Sequence, residues 1–206
     1  MRFLVWMGIE EWLAEAASVN LADTGLRATG VQLGADPVPY RVAYRLDATD
    51  GFLTRELEVT AAGEEWRRRL LLRHDGSGGW RAESDSDGDV PGGSWDGELP
   101  DLADARDIDL GFSPLTNSMP ILRHRLNRSG SHDFLMAWVS VPALRVLASP
   151  QRYEHIRTAD SGGVVRFLDG ESGFSAELAL DRDGLVRLYP QLARRVEAGE
   201  MAAGAD

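Results

Sequence analysis

The run Asp107-Ile108-Asp109-Leu110-Gly111-Phe112-Ser113-Pro114-Leu115-Thr116-Asn117-Ser118-Met119-Pro120-Ile121-Leu122-Arg123 holds the residues best equipped for chemistry. Asp107 and Asp109 stand two apart, so a strand turns both carboxylates to one face. Such a pair suits general acid–base work. It equally suits salt bridges to Arg55 or Arg123. Ser113-Pro114 and Thr116-Asn117 are turn and cap chemistry. Asp107, Asp109, Thr116 and Asn117 therefore read as a structural polar corner between a strand end and the start of the next element. Arg55 is the other charge that needs an account. Alternation sets it on the apolar face of Leu53, Leu57 and Val59, where a guanidinium must be paired, lie at an edge, or face a cavity.

Several chemistries are absent. The chain has no cysteine, so disulfides and thiolate metal sites are excluded. His74, His124, His132 and His155 fall at no metal-ligand spacing. Asp87-Gly88-Asp89 followed by Glu98 fits a calcium loop poorly, because Pro91 stands where a side-chain ligand is wanted. There is no G-x-S-x-G elbow, phosphate loop or dinucleotide fingerprint, and no cofactor is expected. The net charge is −11, and all 22 basic residues are arginine. That acidity argues against nucleic acid and against charge-driven binding to anionic membranes. The apolar start Phe3–Ile9 meets Glu10 and Glu11 too soon for a signal peptide, and no run approaches a membrane span. No stable membrane insertion and a cytoplasmic location are expected.

The positioning elements are strands. Phe3, Val5, Met7 and Ile9 alternate, and so do Val42, Tyr44 and Leu46. Trp66, Arg68, Leu70 and Leu72 share a third face. Asp50-Gly51, Ala62-Gly63 and His74–Gly79 are turns between them. Phe134–Val141 is apolar on both faces, which marks a strand buried on both sides. Val164–Leu168, Phe174–Leu180 and Val186–Leu188 follow, and Gln191–Glu197 reads as a short helical end. Between 81 and 109, ten acidic residues face two arginines. Residues 83–98 of that segment read as a mobile acidic loop, and 198–206 as a frayed tail. The expectation is one domain over 1–206. It is mainly β, with a curved antiparallel sheet of about ten strands forming an open half-barrel and one or two short helices.

Asp107-Ile-Asp109-Leu, Ser113-Pro-Leu-Thr116-Asn117-Ser-Met-Pro120-Ile, Gln151-Arg152-Tyr153, Asp183-Gly-Leu-Val and Tyr189-Pro190 resemble a bacterial family described as putative glycolipid-binding. Tyr40-Arg-Val-Ala-Tyr44 and Thr54-Arg55 fit its front half. The chain departs from the family pattern at Leu122 and His124, and only Arg123 remains of a basic pair. The resemblance implies a fold similar to the Lol-type lipoprotein carriers, with a curved sheet around an apolar cavity. It implies a lipid or glycolipid-like amphiphile as partner. Arg55, Arg123, Tyr153 and Trp138 are then the candidate ligand contacts. The alternatives are an enzyme using Asp107 or Asp109 as general base, and a partner-binding domain using an open sheet edge.

Overall fold

A computed structural model describes residues 1–93 and 95–197. Alternating apolar side chains mark most strands of the first half, which comprises β1 (Arg2–Gly8), β2 (Leu13–Ala22), β3 (Gly25–Gly34), β4 (Tyr40–Thr49), β5 (Leu53–Ala62), β6 (Arg67–His74) and the largely polar β7 (Trp80–Asp87). The second half comprises β8 (Asp107–Leu110), helix α1 (Pro114–Arg123), β9 (Ser131–Val139), β10 (Val146–Ala159), β11 (Gly162–Asp169), β12 (Ser175–Leu180), β13 (Val186–Tyr189) and β14 (Ala193–Arg195). All fourteen belong to one sheet. The two halves meet in its middle, where β1 pairs with β14. Each half then runs outward as a meander, one to β7 and the other to β8. The sheet curls but does not close. Its β8 edge comes round to β5, where Thr54 N donates to the Arg106 carbonyl and the Thr54 hydroxyl accepts from Ile108 N.

α1 lies inside the curl. Pro114 occupies its first turn, where a missing N–H costs nothing. Every residue from Pro114 to Ile121 is buried. Leu115 and Met119 enter a core with Trp6, Leu46, Leu57, Leu70 and Leu72. Ile121 enters a second core with Phe134, Tyr153, Val165, Phe167 and Leu178. The concave side is thus filled largely by the chain's own helix and side chains.

Four expectations change. The sheet has fourteen strands among the described residues, more than the ten expected, in part because the three-residue β14 carries too little pattern to read and β7 is mostly polar. Residues 80–87 are a strand, not the front of a mobile loop; its acids pair with β6 arginines, Asp85 with Arg67 and Glu83 with Arg73. β8 and β9 pair in parallel, with α1 as their crossover, so the sheet is not wholly antiparallel. Finally, 193–195 is strand rather than helix, because β1 and β13 offer it backbone partners on both sides. The expected frayed tail lies outside the described residues.

Across β3 and β4, Gly30 faces Tyr44. The Tyr44 ring lies over that glycine, and a Cβ built there would sit 2.4 Å from a ring carbon. Gly30→Val should therefore lower the unfolding free energy by about 2–3 kcal/mol in urea titrations. An unchanged midpoint would show that the ring moves aside freely.

Candidate functional site

A cleft of about 450 Å³ opens beside the N-terminus of α1. That is within the usual span of small-molecule pockets. Phe167, Phe174 and Tyr189 form one wall, with ring centroids 5.8–6.5 Å apart. Trp138, Leu147 and Ala148 form another, and Asp109, Asn117 and Gln151 lie at the base. Asp169, Glu171 and Ser172 stand at the side. A smaller pocket of about 230 Å³ shares Phe112, Phe174, Tyr189 and Leu192 and extends the space toward Glu10 and Glu11.

The base is a directed chain of hydrogen bonds. Asn117 Nδ2 donates to the Tyr153 hydroxyl at 2.8 Å, and that hydroxyl donates to Gln151 Oε1 at 3.0 Å. Gln151 Nε2 donates to Asp109 Oδ2 at 2.7 Å, and the Thr116 hydroxyl lies 3.0 Å from Asp109 Oδ1. Burial pushes the Asp109 carboxyl up to about 6, against the opposing pull of Gln151 and Thr116. Asp169 differs. Burial acts against it too, but Ser172 N, the Ser172 hydroxyl and Glu171 N all donate to its Oδ1 and hold it below the usual range. One carboxyl in the cleft therefore resists ionisation while its neighbour stays charged.

A second buried carboxyl supports the site from behind. Glu15 Oε1 accepts from the Ser113 hydroxyl at 2.7 Å and from the Tyr44 hydroxyl at 2.6 Å. Its Oε2 has no hydrogen-bond partner, and burial raises this group to about 7. Glu15 thereby ties β2 and β4 to the residue that caps α1. Alternation did not single it out, because alanines and a serine surround it in β2.

The sequence candidates separate in space. Trp138, Asp109 and Asn117 line the cleft. Tyr153 and Thr116 are fully buried behind it and orient Gln151 and Asp109. Asp107 faces elsewhere: its Oδ1 accepts from Arg123 Nη1 at 2.5 Å, and Arg123 also lies over the Phe134 ring. Burial still leaves the Asp107 carboxyl raised, with Arg123 pulling it back. Arg55 is exposed and pairs with Asp50. It is the extra residue of a bulge, since Ala48 pairs with Thr54 and Asp47 with Glu56. The bulge turns Thr54 inward and Arg55 outward. The inward arginine is instead Arg68, fully buried, whose guanidinium donates to the Ala143 and Gly93 carbonyls.

Glu15 and Asp109 both bind a proton more tightly folded than unfolded. Their contribution is complete below pH 4 and is lost as pH rises through about 6 and about 7. Unfolding free energy should fall across that window and level off above it, by on the order of 3 kcal/mol for Glu15. Urea titrations at successive pH values read this directly, and Glu15→Gln should flatten the curve between pH 5 and pH 8. A wild-type curve that rises over the same range would refute the assignment.

No helix among the described residues is long and apolar enough to cross a membrane. The crystal structure of a DUF1089 family protein from Pseudomonas aeruginosa has a similar fold, with TM-score 0.69, 29% identity, and coverage of 88% of this chain and 92% of that one. No curated protein matches. A family model described as putative glycolipid-binding matches residues 3–195. With nearly its whole described length matched, and the cleft-forming residues inside the match, the chain belongs to the putative glycolipid-binding family.

Proposed function

We propose that the cleft binds the head of an uncharged, sugar-like amphiphile, with the attached chain leaving over Phe174 and Leu147. One observation carries this reading. The lining joins an aromatic wall to a set of acceptors (Asp109, Asp169, Glu171, Gln151) and contains no arginine or histidine. Hydroxyls need acceptors, and carboxylates accept them strongly. Aromatic rings give the apolar face of a pyranose a flat partner. A phosphate or sulfate head would meet three carboxyls and no cation, which disfavours it. The arginines expected at the mouth support no anionic head, because Arg55 and Arg123 are both outside this lining.

Octyl β-D-glucopyranoside below its micelle concentration is a suitable probe. It should bind with a change in tryptophan fluorescence from Trp138, and decyl phosphate should bind at least about tenfold more weakly. Phe174→Ala and Asp169→Asn should each weaken the glucoside by roughly tenfold, with folding unchanged, since both residues are at the surface of the cleft. Preference for the phosphate would overturn the reading.

A second reading, Asp109 as a general acid, has one observation in its favour: its carboxyl lies at the base of a cleft and is held near 6 beside the ionised Asp169. Asp107 takes no part, because Arg123 occupies it. This reading requires release of nitrophenol from nitrophenyl glycosides, abolished by Asp109→Asn while octyl glucoside still binds. Absence of release across the common α- and β-hexosides would dismiss it.

A further inference from the structure

The two ends of the curled sheet differ in kind. At one end the turns are Asp23-Thr24, Asp50–Phe52, Asp75–Gly79, Asp160-Ser161 and Asp181–Leu185. They are built from Asp, Gly and Ser, and the apolar residues within them, Phe52 and Leu185, are buried. No large apolar side chain is exposed in any of them. The other end holds the turns 9–12, 35–39, 63–66, 140–145, 170–174 and 190–192. Register sets 9–12, 35–39, 63–66 and 190–192 side by side, while 170–174 and 140–145 lie farther along β11 and β9 in the same direction. Gly8 pairs with Ala193, Ile9 N donates to the Leu192 carbonyl, and Gly170 N donates to the Pro150 carbonyl.

At this second end apolar side chains stand in solvent. Trp12 is 68% exposed, Ile9 46%, Val38 38% and Phe174 37%, with Leu147 at 48% beside the 140–145 turn. None of these turns needs an apolar tip for its own geometry, and the turns at the opposite end have none; the exposed apolar residues there, Met1 and Phe3, belong to the start of β1 and line no cleft. The exposed residues also surround an opening. Phe174 and Leu147 line the cleft. Glu10 and Glu11, next to Trp12, line its extension, and an open groove of about 1140 Å³ continues from Trp12 past Leu33 and Val38 to Trp66. Interspersed with them are the exposed acids Glu10, Glu11, Asp36, Glu64, Glu65 and Glu171, against Arg41 in the groove.

We propose that this end of the sheet docks on an uncharged lipid bilayer surface, and that the cleft takes its amphiphile directly from that surface. The inference rests on the amphiphile reading of the cleft. Trp12, Ile9 and Val38 are the anchors. An amphipathic indole at a turn tip suits the boundary between headgroups and acyl chains. The acids set the class of surface: they repel anionic headgroups, so a bilayer of zwitterionic and neutral sugar-bearing lipids fits and a phosphatidylglycerol-rich one does not. Exposed apolar side chains gathered along one groove, as Trp12, Leu33 and Val38 are, mark an interaction site. Its position around the cleft mouth selects the membrane that holds the ligand rather than a separate partner.

The test is co-sedimentation of the full chain with vesicles of phosphatidylcholine carrying a monoglycosyl diacylglycerol. Wild-type protein should partition to these vesicles, and added phosphatidylglycerol should weaken binding at low salt. The double variant Trp12→Ser, Val38→Ser should lose partitioning by roughly tenfold or more. Because neither residue lines the cleft, the variant should bind monomeric octyl glucoside as the wild type does. The double variant partitioning as well as wild type, or tighter binding to phosphatidylglycerol vesicles, would overturn the proposal. Loss of octyl glucoside binding in the wild type would instead strike at the amphiphile reading, so the two failures are separable. Brominated phosphatidylcholine supplies an independent signal: it should quench wild-type fluorescence and quench Trp12→Ser far less.

Discussion

A helix of ten residues held inside a sheet imposes the central constraint. α1 has no solvent-facing side from Pro114 to Ile121, so its polar side chains must find partners within the protein. They find them on different parts of the curl. The Ser113 hydroxyl reaches Glu15 on β2, Asn117 reaches Tyr153 on β10, and Ser118 Oγ accepts from Val186 N on β13. Arg123 closes the far end on Asp107 of β8. The first three contacts join the helix to strands distant in sequence, and the last ties it to the strand just before it. Together they hold the curl at the radius the helix requires. The cleft is what remains where the polar start of α1 meets the sheet and apolar packing stops.

This explains why two buried carboxyls are tolerated. Ionising Glu15 or Asp109 in place is costly, and both are held up toward neutrality. Replacing Glu15 by an apolar residue would leave the Ser113 and Tyr44 hydroxyls without their acceptor, and replacing Asp109 would remove the short bond from Gln151, losses that are costly in turn. The carboxyls therefore maintain hydrogen-bond order around the helix start. Only Asp109 in addition lines the cleft.

The alternating strands and the turns were legible because each depends on local chemistry; of the four residues of the expected polar corner, Asp109, Thr116 and Asn117 belong to one hydrogen-bonded set and Asp107 pairs with Arg123 instead. Val42, Tyr44 and Leu46 are buried as their spacing requires, and Asp50-Gly51 turns with positive φ at both residues. Arg55 was misplaced for a physical reason. One extra residue in β5 reverses the phase of everything before it, and a bulge leaves no mark in residue type. Arg68 sat on the apolar face in plain view, but its carbonyl partners come from the 88–106 connection and the 140–145 turn, which no local pattern links to β6. Tyr153 stands among the expected ligand contacts, yet whether it faces a ligand or supports Gln151 depends on α1 packing against it.

The acidic composition takes on a different meaning once it is located. Much of it is ordinary surface, paired strand to strand with arginines, as in Arg73 between Glu56 and Glu83. The acids around the cleft are not of that kind. Asp169 is held by its own turn and Glu171 stands beside it, with no basic residue in the lining. A net negative charge that argued against nucleic acid at the level of composition is thus concentrated at particular places, and in the proposed reading it would favour hydroxyl donors over anions in the cleft and neutral over anionic surfaces at its mouth.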